Sequence, residues 1–158
     1  MDLDPVKKEF LLAMRGITST VTVISVKDGE NKQAMTATSV VSLSLDPPTM
    51  LVCINHEALI HDVMKEEVGF CINILSVGQE SLADICSIKG KERQRFLEGN
   101  WSELDDIPYN KDSQSNMFCN CIKAIESTTH TIYLGEIIEV FNQSSFNPLL
   151  YKDGNYLA

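Results

Sequence analysis

The sequence predicts a mainly β, antiparallel barrel or sandwich. Six or seven short runs rich in Val, Ile, Thr and Ser are separated by turn residues. Only three segments carry helical spacing, too few to alternate with strands as parallel βαβ units require. The length, 158 residues, fits one domain spanning 1–158 with a core that needs no covalent staples.

Each element has a local cause. Asp4-Pro5 opens a helix, with aspartate as cap and proline at the first helical position, and Gly16 closes it. Val6, Phe10, Ala13 and Met14 share one face of that helix. Residues 19–26 form a β-rich run, and Asp28-Gly29 supplies a turn before a second extended segment over 33–45. Asp46-Pro47-Pro48 stops that segment, because proline cannot donate to a ladder. Residues 49–55 read as a buried strand, and Asn55 caps a helix over 56–67 that turns Leu59, Ile60, Val63 and Met64 inward. A strand over 69–75 precedes a capping-box spacing at Ser76 and Gln79, hence a helix over 79–87 with Leu82, Ile85 and Cys86 facing the core. Residues 89–114 read as polar and irregular, anchored by Trp101, and strands over 117–125, 131–141 and 149–151 complete the chain.

Composition excludes several classes. Hydrophobic residues at 44% and charged residues at 22% are ordinary globular usage, which argues against wholesale disorder. A net charge of −9 disfavours a phosphate-tracking nucleic-acid binder and docking on anionic membranes. The N-terminus is broken by charges and no apolar run approaches bilayer length, so the expected location is cytoplasmic. Five cysteines, an odd number, fit buried free thiols better than a disulfide framework.

Common catalytic signatures are missing. There is no G-x-G-x-x-G, P-loop, G-x-S-x-G or H-E-x-x-H pattern. His56 and His61 are five apart, which on a helix separates them by about 140° and sets them apart as joint metal ligands; no metal site is expected. The remaining candidate is a hydroxyl-dense segment, Thr36-Ala37-Thr38-Ser39 with Ser42 and Ser44. Such residues suit a flavin or nucleotide phosphate, but from composition alone an edge or half-exposed strand that uses Thr and Ser is the favoured reading.

The text of the sequence goes further. Ser-Thr-Val-Thr-Val-Ile-Ser (19–25), Ala-Met-Thr-Ala-Thr-Ser-Val-Val-Ser-Leu-Ser-Leu-Asp-Pro-Pro (34–48) and Leu-Val-Cys-Ile-Asn (51–55) resemble the flavin reductase-like family. Gly-Phe-Cys-Ile-Asn-Ile-Leu-Ser (69–76), His-Thr-Ile-Tyr-Leu-Gly-Glu-Ile (130–137) and Pro-Leu-Leu-Tyr-Lys-Asp-Gly-Asn-Tyr (148–156) follow in that family's order. The resemblance implies an FMN-binding split β-barrel of antiparallel, Greek-key type, usually a homodimer. It also implies hydride transfer from NADH or NADPH to FMN or FAD, with reduced flavin often passed to a partner monooxygenase.

The same resemblance assigns residues. Met35, Thr36, Ala37, Thr38 and Ser39 match the segment associated with flavin ribityl and phosphate. Cys53, Ile54 and Asn55, with His56 beyond them, match the strand end beside the isoalloxazine ring. His61 matches a histidine near the flavin tail, Ser87 and Lys89 fall where phosphate is contacted, and Arg95-Phe96 resembles an Arg-Phe or Lys-Phe pair. Tyr151 packs near the ring edge or simply closes the barrel. His130 matches the histidine of a Gly-Asp-His motif where nicotinamide docks. Thr128-Thr129 stand in place of that glycine and aspartate, which removes backbone latitude and a carboxylate. Rival readings are a tightly flavin-bound electron carrier or ferric-complex reductase, a non-catalytic flavin binder, and a barrel without cofactor.

Overall fold

The computed structural model of the chain describes residues 3–157. Its centre is a seven-stranded antiparallel sheet in the order β3-β2-β6-β9-β10-β5-β4. The strands are β2 (Thr22–Asp28), β3 (Asn31–Ala37), β4 (Val40–Leu45), β5 (Pro48–Asn55), β6 (Gly69–Ile74), β9 (Ser115–Glu126) and β10 (His130–Asn142). The two edges, β3 and β4, are joined through Thr38-Ser39 alone, so the sheet curls until its edges meet at that crossing. The segment 33–45 is therefore two strands rather than one. Ser39 has left the β3 ladder, and its carbonyl accepts the Cys53 N–H of β5 at 3.1 Å. A smaller sheet combines β1 (Ser19–Thr20), β11 (Leu150–Lys152) and β12 (Asn155–Leu157).

β2 shows how sequence sets the layers. Its first five residues are all buried, because both faces of the strand are covered. Ile24 and Val26 point into the barrel with Val52, Ile54, Phe70, Ile72 and Tyr133. Val23, with Val21 just before the strand, points outward under helix α2 (Glu80–Ser87), where Leu82, Ala83 and Cys86 pack with Leu75 and Leu149. Each large side chain buried this way stabilises the fold by roughly 1.5–3 kcal/mol before entropy is counted. Half of the capping spacing before α2 is realised: the Ser76 N–H donates to Gln79 Oε1 at 2.9 Å, but the helix starts one residue later with Gln79 as its cap residue, and the Gln79 N–H goes to the Ser76 carbonyl rather than to its hydroxyl. Asn73, which interrupts the β6 apolar run, is fully satisfied. It donates to the Val23 carbonyl and Ser25, and accepts from the Asn110 N–H and Asn116.

Three local expectations change. The helix predicted over 56–67 is only a 3-10 turn at Leu59–Asp62. Ile60, Val63 and Met64 face the core as predicted, but Leu59 is exposed. The Asn55 side chain caps the Glu57 N–H at 2.9 Å in a tight turn, and Glu67 adopts φ +71°, which no helix accommodates. Residues 89–114 are not wholly irregular; they hold the hairpin β7 (Trp101–Leu104) and β8 (Ile107–Asn110). Helix α1 (Pro5–Arg15) is capped by Asp4 as predicted, with Asp4 Oδ1 accepting the Val6 N–H at 2.8 Å. It buries none of its residues, so the face of Val6, Phe10, Ala13 and Met14 lies open. All five cysteines are free and four are buried.

Candidate flavin site

Two adjoining grooves lie where β3 leaves the sheet. The larger, about 360 Å³, is floored by Val21 and Ala37 and walled by Thr36, Thr38, Asp84, Ser87, Tyr151, Gly154 and Tyr156. The smaller, about 150 Å³, carries Met35, Glu57, Cys86, Ser87, Lys89, Glu92 and Arg95. Ser87, at the C-terminal end of α2, belongs to both.

The hydroxyls of this region divide into two sets. Thr36 Oγ1 donates to the Ala83 carbonyl at 2.6 Å and holds α2 against β3. Thr38 and Ser39 are exposed. Among the described residues, neither their hydroxyls nor their backbone N–H groups have a partner. Four unspent donors in two adjacent residues, beside a groove, are what an anionic or polyhydroxylated ligand requires.

The charges around the smaller groove also divide. Arg95 is buried; its guanidinium donates to the carbonyls of Ile85, Ala34 and Ile88 at 3.2, 2.7 and 2.8 Å. Glu92 pairs with it at 3.7 Å, and the Gly90 N–H beside the Glu92 carboxyl holds that group below the usual carboxylate range. Lys89 makes no ion pair among the described residues and is the cation left for a ligand. Burial pushes the Cys86 thiol up to about 12, so it lines the groove as a neutral, unreactive group. Asp84 accepts the Tyr156 hydroxyl at 2.6 Å, and burial together with this carboxylate raises the Tyr156 phenol.

The remaining sequence-predicted residues gather around β5 and β10. Register places His130 opposite Asn55 and Thr131 opposite Ile54. Cys53 is half-buried, Ile54 is buried, and Asn55 and His130 are exposed at the strand ends. His130 Nδ1 lies 2.8 Å from the Thr129 hydroxyl, so the residue that stands in place of the aspartate is in hydrogen-bond reach of the ring. Phe96 lines neither groove. It packs against Trp101 with centroids 4.8 Å apart and the rings tilted by 58°, under the Lys32 ammonium. His56 and His61 do not diverge: both Nε2 atoms lie within hydrogen-bond distance of Thr131 Oγ1, at 3.1 and 2.8 Å. The predicted 140° separation assumed a regular helix, and the tight turn at 55–57 removes it.

Sequence reasoning missed Val21, Asp84, Gly154 and Tyr156. The β11–β12 hairpin brings the last two in, and its Asp153-Gly154 turn is the signal that marks it.

The fold is the split β-barrel of flavin reductases. The chain belongs to the flavin reductase-like family: the model described as "Flavin reductase like domain" matches residues 14–158. It is similar to the reductase component of an FADH(2)-dependent resorcinol hydroxylase from Rhizobium sp. (strain MTP-10005), at 31% identity over 97% of this chain and 87% of that protein. FMN reductase (NADH) RutF of Pseudomonas syringae pv. syringae (strain B728a) is 30% identical over 91% of this chain and 82% of its own. Among solved structures, the Streptomyces globisporus C-1027 NADH:FAD oxidoreductase SgcE6, in complex with NAD and FAD fragments, superposes with a TM-score of 0.88 at 25% identity. That match covers 100% of this chain and 96% of the other.

Proposed function

We propose that this chain is a flavin reductase that moves hydride from NADH to FMN, with FAD as the other flavin, and passes reduced flavin to a partner oxygenase. The observation that carries the reading is the groove beside Thr36–Thr38, with the unspent donors of Thr38 and Ser39 at its edge and Lys89 close by. The names of its relatives support the same chemistry.

Flavin, when bound, supplies the two-electron chemistry, which needs stacked rings and little proton transfer. This chain's residues bind and align. Thr38 and Ser39 offer hydroxyl and backbone donors to ribityl and phosphate oxygens. Lys89 supplies the positive charge for phosphate, and Ser87 joins the two grooves. Thr36 and Arg95 act through the fold, fixing α2 and the β3 edge around the ligand. The backbone of the strand end at Cys53, Ile54 and Asn55 approaches the flavin ring, while the Ile54 side chain stays in the core. His130, steadied by Thr129, orients nicotinamide. No catalytic acid, base or nucleophile is demanded by this chemistry.

The reading extends to a homodimer. An eleven-residue helix that buries nothing is not stable alone in water. The apolar face of α1 and the outward Val41, Leu43 and Leu45 of β4 fit a second copy of the chain. Light scattering should give twice the chain mass, and Phe10→Glu should shift it toward the monomer. The function itself is tested by NADH oxidation with and without added FMN. Turnover that depends on FMN supports it; a protein that neither binds FMN nor oxidises NADH in its presence overturns it.

A further inference from the structure

His56, His61 and Glu126 come from three separate segments and meet at one point. We propose that they form a binding site for a divalent transition metal of the zinc type, outside both flavin grooves. His56 follows β5, His61 lies in the 3-10 turn, and Glu126 ends β9. His56 Nε2 is 3.4 Å from Glu126 Oε2, and the three ligand atoms all lie within 4.8 Å of one another. Tetrahedral ligands about 2.0–2.1 Å from zinc sit about 3.3 Å apart. The Glu126 side chain is 74% exposed, so little packing holds its carboxylate where it stands.

The surroundings are those of a ligand set. The imidazole rings stand 4.9 Å apart. Thr131, only 1% exposed, lies under both Nε2 atoms and also bonds Glu126 Oε1 at 3.3 Å. One hydroxyl thus gathers both Nε2 atoms and the carboxylate around the same volume. Neither imidazole Nδ1 has a partner among the described residues, so each can carry the ring proton once a metal takes the Nε2 lone pairs in place of the Thr131 hydroxyl. The edge of Tyr133 walls the inner side, 6.2 Å from His61. Two imidazoles and one carboxylate select zinc, cobalt, nickel or copper over magnesium or calcium. Three protein ligands leave a position for water.

The full chain, stripped with a chelator, is titrated with Zn2+ by calorimetry and with Co2+ by visible absorption. The expected result is one equivalent bound at micromolar or tighter affinity. The cobalt spectrum should show tetrahedral nitrogen and oxygen bands and no thiolate charge-transfer band. Glu126→Gln and His61→Asn should each weaken binding by about tenfold or more, while Thr131→Val weakens it less. Glu126 is exposed, so its variant decides the question should a histidine variant misfold. Absence of saturable binding, affinity unchanged in Glu126→Gln, or a cobalt–thiolate band would overturn the site and leave a hydrogen-bonded histidine cluster.

Discussion

The guanidinium of Arg95 donates to the carbonyl of Ala34 at 2.7 Å, across sixty-one residues of sequence. Ala34 lies in β3 and Arg95 in the segment after α2, so this bond ties the groove's two walls together. Two further carbonyls, at Ile85 and Ile88, take the same side chain. Arg95→Met would strand three acceptors in a buried setting. It is expected to cost about 2–4 kcal/mol, read as a lower urea midpoint, and to weaken FMN binding because the groove loosens. Arg95→Lys should recover only part, since an ammonium cannot span three divergent carbonyls. A stability loss below ~0.5 kcal/mol in Arg95→Met would refute this role.

Thr38 and Ser39 make the opposite case. They are exposed and their side chains bond nothing among the described residues. Thr38→Val and Ser39→Ala should leave stability within about 0.5 kcal/mol of the parent. Each should weaken FMN by about fivefold to tenfold, the worth of one hydrogen bond. Quenching of flavin fluorescence gives the affinity. A double variant that binds FMN like the parent would remove this pair from the site.

The parts of this molecule legible in sequence are those whose cause is local. The cap at Asp4, the Gln79 half of the Ser76–Gln79 box and the β2 run all depend on neighbours a few positions away, and these stand in the structure. The break at Thr38-Ser39 was hidden because both residues suit strands, and only the closure of the sheet requires the chain to leave one there. The β7–β8 hairpin was hidden because its turn is Asp105-Asp106, at φ +48° and +64°, where glycine or asparagine is the usual signal. The meeting of His56 with His61 and Glu126 rests on the register of β10 against β5 and β9, which no local pattern encodes. The flavin segment itself was legible through resemblance; composition alone favoured a half-exposed strand.

Gly135 offers a test of the barrel interior. It sits in β10 at a register shift against β9. A Cβ there would meet Phe70 Cζ at 2.6 Å and Cys119 Cβ at 2.8 Å, both on fully buried side chains. Gly135→Ala is expected to destabilise by about 1–3 kcal/mol through overpacking. Adding Phe70→Leu should recover part of that loss, because the clash is shared by the two residues. If the two substitutions simply add in thermal unfolding, the contact is not the cause.

Buried thiols give the fold a defined alkaline limit. Burial pushes Cys86 and Cys119 from the ordinary 9.0 up to about 12, and raises Cys71 as well. The folded chain therefore keeps these protons where the unfolded chain releases them. A group whose pKa is raised by folding contributes stability below its unfolded value and loses it as pH rises toward the folded one. Stability should be level from pH 7 to 8 and then fall, each such thiol accounting for about 1 kcal/mol by pH 10. Lys27 and Tyr156 are also raised and add loss of the same sign, so the parent's slope alone does not isolate a thiol. Cys86→Ala does: it should start about 1 kcal/mol lower at pH 7 from the small cavity, yet lose about 1 kcal/mol less than the parent between pH 8 and 10. Equal losses in urea titrations of the two proteins would show that Cys86 does not titrate on unfolding.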